Sequence, residues 1–86
     1  MQIVVFSKTY CPFCTATKGL FQQIGESPRV IELDRMPNGA DIQASLLEMT
    51  GQRTVPSVFI KGEHLGGNDD TQAAYRSGKL EELLKD

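Results

Sequence analysis

Two cysteines, Cys11 and Cys14, are the most reactive side chains of this 86-residue chain, and only Pro12 and Phe13 separate them. A disulfide across such a pair closes almost no loop, so it takes little entropy from the unfolded chain and adds little stability. Secreted domains stapled by disulfides carry more cysteines, closing longer loops. The pair is therefore read as chemistry, a reversible dithiol–disulfide couple. Zinc fits poorly, because a closed structural site takes four ligands and beyond the pair the chain offers only His64 and carboxylates. Inert packing of two thiols is disfavoured by their place at the start of a helix, just after a polar turn.

Thiol exchange needs one sulfur that is ionised and reachable, and the neighbouring elements can provide it. Gln2 to Phe6 reads as a strand, with the unalternating apolar run Ile3-Val4-Val5-Phe6 of a central strand buried on both faces. After Ser7 to Tyr10, Pro12 suits the first turn of a helix, and Ala16, Leu20, Phe21 and Ile24 recur at helical spacing up to Gly25. Cys11 then falls at the helix N-terminus, where unpaired N–H groups and the helix dipole favour a thiolate. Cys14, one turn into the helix, lacks that support and is assigned the resolving role.

Arg29 to Leu33 reads as a second strand, making a right-handed parallel βαβ unit. Pro37-Asn38-Gly39 is a turn with Asn38 as N-cap, and Ile42, Leu46 and Met49 mark one face of a second helix ending near Gly51. Ser57 to Ile60 and His64-Leu65 read as a hairpin around Lys61-Gly62-Glu63. Asp69 to Arg76 and Lys79 to Leu84 are helical, broken near Gly78, with Leu80, Leu83 and Leu84 facing inward. The expectation is an α/β fold in the order βαβαββα, a four-stranded sheet covered by helices. A Cys-x-x-Cys in such a βαβ setting reads as a thioredoxin-like redox motif.

Length and composition bound the alternatives. The chain of 86 residues is expected to form one domain, 1–86, and its 40% hydrophobic and 23% charged residues are those of an ordered globule. Nine basic residues against eleven acidic ones give a net charge of -2 with no basic cluster, which argues against nucleic-acid binding. The longest strongly apolar run, Ile3 to Phe6, is far short of the roughly 20 residues of a membrane span. No secretory signal is recognisable, and reduced-thiol chemistry places the chain in the cytoplasm, or in an organelle after removal of a presequence. There is no Gly-x-Gly-x-x-Gly or phosphate loop, so no nucleotide or flavin is implied.

Three ordered motifs resemble those of a dithiol glutaredoxin over essentially the whole chain. Lys8-Thr9-Tyr10-Cys11-Pro12-Phe13-Cys14 resembles the family's active-site motif, Thr54-Val55-Pro56 its cis-proline loop, and Gly66-Gly67-Asn68-Asp69-Asp70 its glutathione-binding turn. Phe13 departs from the family's usual Tyr; the missing hydroxyl alters solvation near the thiols but leaves the nucleophile intact. The resemblance implies a thioredoxin-like fold with a mixed sheet, and glutathione as co-substrate. It implies no permanently bound cofactor and no metal.

Glutathione carries two carboxylates, an α-ammonium, a peptide backbone and a sulfur. Lys8, three residues before Cys11, can serve the thiolate and a glutathione carboxylate, or be an ordinary surface lysine. Gln43, twelve residues before Val55, would by position alone be a solvent-facing helix residue; the resemblance assigns it to the glycine carboxylate. Arg53 can grip the same carboxylate bidentately or form a surface ion pair. Phe13 and Thr54 are placed along the groove. A cis Val55-Pro56 bond would leave the Val55 N–H and C=O free to pair with an extended peptide, whereas the general base rate favours trans. Gly67 permits close backbone approach, and Asn68, Asp69 and Asp70 can cap a helix while also holding the γ-glutamyl end. Gln52 and Tyr10 are left outside the site, and His64 is read as a hairpin residue.

The implied reaction is glutathione-dependent reduction of protein–glutathione mixed disulfides and of disulfides, carrying electrons from glutathione to protein substrates in cell redox homeostasis. The partners are glutathione and glutathionylated or disulfide-containing proteins, with the chain a monomer. A thioredoxin served by a flavoprotein reductase is the rival of the same class; the chain has no Trp, which thioredoxins place before the motif. A [2Fe–2S] carrier, with a cluster held between two protomers, is the rival from another class. Pro12 is more typical of family members that hold no cluster. A non-catalytic module would leave the position of Cys11 unaccounted for.

Overall fold

The β-branched residues of Ile3-Val4-Val5 resist helix and pack well on a pleated surface, and they form β1 (Ile3–Ser7). The computed structural model describes residues 2–85, so the first and last positions of the 1–86 domain assignment lie outside the described residues. After β1 come α1 (Pro12–Gln23), β2 (Arg29–Glu32), a 3₁₀ turn (Leu33–Arg35) and α2 (Gly39–Thr50). The hairpin of β3 (Ser57–Ile60) and β4 (Glu63–Gly66) follows, then α3 (Asn68–Ser77) and α4 (Lys79–Leu84). The sheet order is β2-β1-β3-β4. β1 runs parallel to β2, with Val4 opposite Arg29, and antiparallel to β3, with Ile3 opposite Ile60.

β1 is central, but its two faces differ. Ile3, Val5 and Ser7 are buried whereas Val4 and Phe6 are only half-buried, where the unalternating run had predicted burial on both faces. The buried face meets Val58 and Ile60 of β3 and packs on Leu20 and Phe21 of α1, Ala74 of α3 and Leu80 of α4. Full burial of Phe21 and Leu80 contributes about 1.5–3 kcal/mol each. On the other face α2 is set off from the sheet by a groove that Ile42 and Leu46 line. Met49, expected on that same inner face, is 73% exposed because it projects over an open groove of about 610 Å³ between α2 and Val4, Phe6 and Phe59.

Three further expectations shift. Ala16 is exposed, and the inner stripe of α1 is Cys14, Thr17, Leu20 and Phe21; the helix turns its small polar residues inward where it meets α3. Leu33 leaves β2 and starts the 3₁₀ turn, its side chain buried. Asn38 is the N-cap residue of α2 but makes no side-chain capping bond. The Lys61-Gly62 turn has φ of 52° and 84°, the pair of positive values that a two-residue hairpin of matching twist requires. No helix among the described residues is long and apolar enough to cross a membrane.

Candidate active site

Pro12 opens α1 at a position where a missing N–H costs nothing, and this leaves Cys11 as the N-cap residue, with φ -92° and ψ 115°. Its Sγ accepts the Cys14 N–H at 3.2 Å. A sulfur therefore occupies the place that Ser or Asp takes at most helix starts. The turn before it is closed by the Cys11 N–H donating to the Lys8 carbonyl at 3.1 Å. It is tied to the 3₁₀ turn by Thr9, whose N–H donates to Asp34 Oδ1 at 3.0 Å and whose hydroxyl donates to the other carboxylate oxygen. The Thr9 hydroxyl is the main reason the exposed Asp34 carboxyl lies below its ordinary range.

Both cysteines are free thiols; Cys11 is partly exposed and Cys14 is fully buried. Burial pushes the Cys14 thiol up, with its hydrogen bond to Cys11 adding to the rise and weaker bonds from Ser7 and the Lys8 backbone opposing it. Cys14 thus keeps its proton at neutral pH, as suits a thiol that acts second. Tyr10 and Phe13 are 71% and 62% exposed, forming an apolar rim beside the reachable sulfur.

The second wall of the site is the loop between α2 and β3. Its Val55-Pro56 bond is cis, and the Val55 carbonyl faces Cys11, with Sγ 3.7 Å away. Gln52 donates through Nε2 to the Thr54 carbonyl at 2.8 Å and to the Pro56 carbonyl at 2.7 Å. Its Oε1 lies 3.0 Å from His64 Nε2. The third wall is the turn into α3. Gly66 has φ 133°, and a Cβ there would run into the Asp70 carboxylate, so only glycine fits. The Gly67 N–H donates to Asp70 Oδ2 at 3.3 Å, satisfying one of the free donors of the α3 terminus.

These walls enclose an open groove of about 420 Å³ lined by Phe13, Gln52, Thr54, Val55, Pro56, Gly67, Asn68, Asp69 and Asp70. Eight of those nine are residues predicted from the sequence. Cys11 and Lys8 do not line the groove: Cys11 Sγ lies 3.7 Å from the carbonyl of its lining residue Val55, and Lys8, half-buried, begins the turn that ends at Cys11. Gln43 and Arg53 come together, Gln43 Nε2 donating to the Arg53 carbonyl at 3.1 Å. They line a separate shallow depression of about 280 Å³. Asn68 faces inward: its Oδ1 accepts from Thr17 Oγ1 at 2.9 Å and Gln72 Nε2 at 3.3 Å. Sequence reasoning missed Gln52, whose type and position in a loop carry no signal, and the partner role of His64, twelve residues away.

The glutaredoxin family model matches residues 3–65, from β1 through the cysteine motif to the β3–β4 hairpin. The chain belongs to the glutaredoxin family. It is 53% identical over 83 residues to Glutaredoxin-C4 of Arabidopsis thaliana, covering 96% of this chain and 62% of that protein. A glutaredoxin of Ricinus communis is 55% identical over 82 residues, covering 95% of this chain and 80% of its own length. The crystal structure of a buckwheat glutaredoxin–glutathione complex superimposes with a TM-score of 0.95 at 53% identity, covering 96% of this chain and 76% of that one. The mixed four-stranded sheet flanked by helices is accordingly the thioredoxin-like fold, and the family is one of thiol oxidoreductases. The chain thus spans less than two thirds of the Arabidopsis relative. Among the described residues no three His, Cys, Asp or Glu side chains converge as a metal site.

Proposed function

We propose that this glutaredoxin uses glutathione to reduce protein–glutathione mixed disulfides and protein disulfides. The observation that carries the reading is the Cys11 sulfur, capping α1 beside a groove whose walls offer the free Val55 peptide and the acidic turn of α3. The Cys11 thiolate attacks the glutathione sulfur of a mixed disulfide; the protein sulfur leaves as a thiolate and takes up a proton. The thiolate of a second glutathione then attacks the sulfur of the glutathione bound to Cys11, breaking its bond to Cys11 Sγ, releasing oxidised glutathione and restoring the Cys11 thiolate. With a protein disulfide, Cys14 gives up its proton, displaces the substrate from Cys11, and the resulting intramolecular disulfide is reduced by two glutathiones.

Within the groove, the Val55 N–H and carbonyl pair with the cysteinyl segment of glutathione, as an added strand does. The γ-glutamyl end lies on the turn of Gly67, Asn68, Asp69 and Asp70, where backbone donors meet the carboxylate and an aspartate meets the ammonium. Because Asn68 Oδ1 is held by Thr17, its backbone is the part that serves. Lys8 and Arg53 supply the cationic groups for the glycine carboxylate, and Gln43 supports Arg53 through its carbonyl. Phe13 forms the apolar lip. The chain acts as a monomer, in a compartment that keeps thiols reduced, the cytoplasm or an organelle.

The test is glutathione-driven turnover of a glutathionylated peptide, coupled to glutathione reductase. The wild type and Cys14→Ser should turn over and Cys11→Ser should not. Turnover by Cys11→Ser, or none by the wild type, refutes the reading.

A further inference from the structure

The Gln52 side chain is bonded at every polar position it has. Its amide nitrogen has two hydrogens and spends both, on the Thr54 and Pro56 carbonyls at 2.8 and 2.7 Å. Its oxygen faces His64 Nε2 at 3.0 Å, so that ring nitrogen carries the hydrogen. Flipping the amide would set its oxygen against two carbonyl oxygens, so the Thr54 and Pro56 carbonyls fix its sense, and His64 adds a bond to the amide oxygen on the far side. The backbone is anchored too: the Gln52 N–H donates to Thr50 Oγ1 at 3.1 Å, and that hydroxyl donates to the Leu46 carbonyl in the last turn of α2.

The two carbonyls held by Gln52 flank Val55. With both turned toward the amide, the Val55 carbonyl is the one left facing Cys11 Sγ. The same amide lies beside the opposite wall, since a Cβ on Gly67 would sit 3.6 Å from Gln52 Nε2. We propose that Gln52 is a positioning residue of the glutathione site: it holds the Thr54 and Pro56 carbonyls inward so that the Val55 peptide groups face the ligand, with His64 bonded to the amide oxygen. The inference rests on the glutathione reaction proposed above and assigns a determinant of substrate affinity to that site.

The test is steady-state kinetics of the full chain with a glutathionylated peptide, glutathione and glutathione reductase. Gln52→Met keeps the length without donors, Gln52→Glu offers only acceptors, and Gln52→Arg restores donors. Loss of the clamp should raise KM for the peptide about fivefold in the Met and Glu variants, with kcat within about twofold of wild type. The Arg variant should recover most of the loss. Wild-type turnover with Met and Glu variants at wild-type KM overturns the inference alone. So does an Arg variant as impaired as the Met variant, because volume and not donation would then matter. Absence of wild-type turnover overturns the proposed function and this inference with it. If thermal melts show the Met variant unfolded, Gln52→Glu, which keeps the shape of the side chain and lacks its donors, carries the test: a KM raised about fivefold supports the clamp and a wild-type KM overturns it.

Discussion

Deleting the Thr17 hydroxyl should loosen the helix that carries both cysteines from the turn that would receive the γ-glutamyl end of glutathione. Thr17 Oγ1 is fully buried and donates to Asn68 Oδ1 at 2.9 Å. Thr17→Val keeps the volume and removes one bond, while Asn68 retains Gln72 at 3.3 Å and some solvent; the cost is about 0.5–1.5 kcal/mol. Asn68→Ala does the reverse and leaves a buried hydroxyl without its partner, about 1–3 kcal/mol, the low end set by rotation of that hydroxyl to the carbonyl four residues back. In the double variant no buried hydroxyl is orphaned, and the partly exposed Gln72 amide, which loses Asn68 in both the single and the double variant, turns to solvent. Its cost should therefore fall below the sum of the single costs by about 1 kcal/mol. The chain has no Trp, so urea unfolding is followed by far-UV circular dichroism. Each kcal/mol should also appear as a shift of about 4–8 °C in Tm for a domain of this size. Costs that add within about 0.5 kcal/mol would refute the coupling.

Burial raises the Cys14 thiol above its ordinary value of 9.0, so the folded state holds that proton more tightly than the unfolded one. The resulting stability is fully present below that value and is lost as pH rises through the folded one. Iodoacetamide at pH about 7–8 should label Cys11 and spare Cys14, and equal labelling in peptide maps would contradict the burial. The Asp34 carboxyl is lowered from 3.8, chiefly by the Thr9 hydroxyl, so its hold on the loop before Cys11 is present above that value and is lost as pH falls through the folded one. Asp34→Ala should speed hydrogen exchange at the Thr9 amide at neutral pH; an unchanged rate would show that the bond does not restrain the loop.

Much of the fold was legible because its causes are local. The β-branched run of β1, Pro12 at a helix start, the Lys61-Gly62 turn and the break at Gly78 each act through neighbouring residues, and the order of elements followed from them. The nucleophile was legible for the same reason, since a cysteine just before Pro12 becomes a helix cap whatever surrounds it. The motif resemblance carried the two distant walls of the groove, which spacing alone would not have joined to Cys11.

The faces on which elements meet were decided by tertiary packing. Periodicity placed Ala16 and Met49 inward, but α1 presents Thr17 to Asn68 of α3, and α2 leaves an open groove between itself and the sheet, where Met49 stays exposed. Which polar groups pair was likewise invisible in the sequence. Gln52 meets His64 only because the hairpin returns β4 beside the loop that enters β3, and Thr9 meets Asp34 only because β1 and β2 run parallel with their ends together. Hydrogen bonds of short reach between residues far apart in the chain depend on where whole elements stop and how they stack. The sequence by itself determined the reactive sulfur and the elements around it; the assembled sheet decided which side chains hold the groove open beside it.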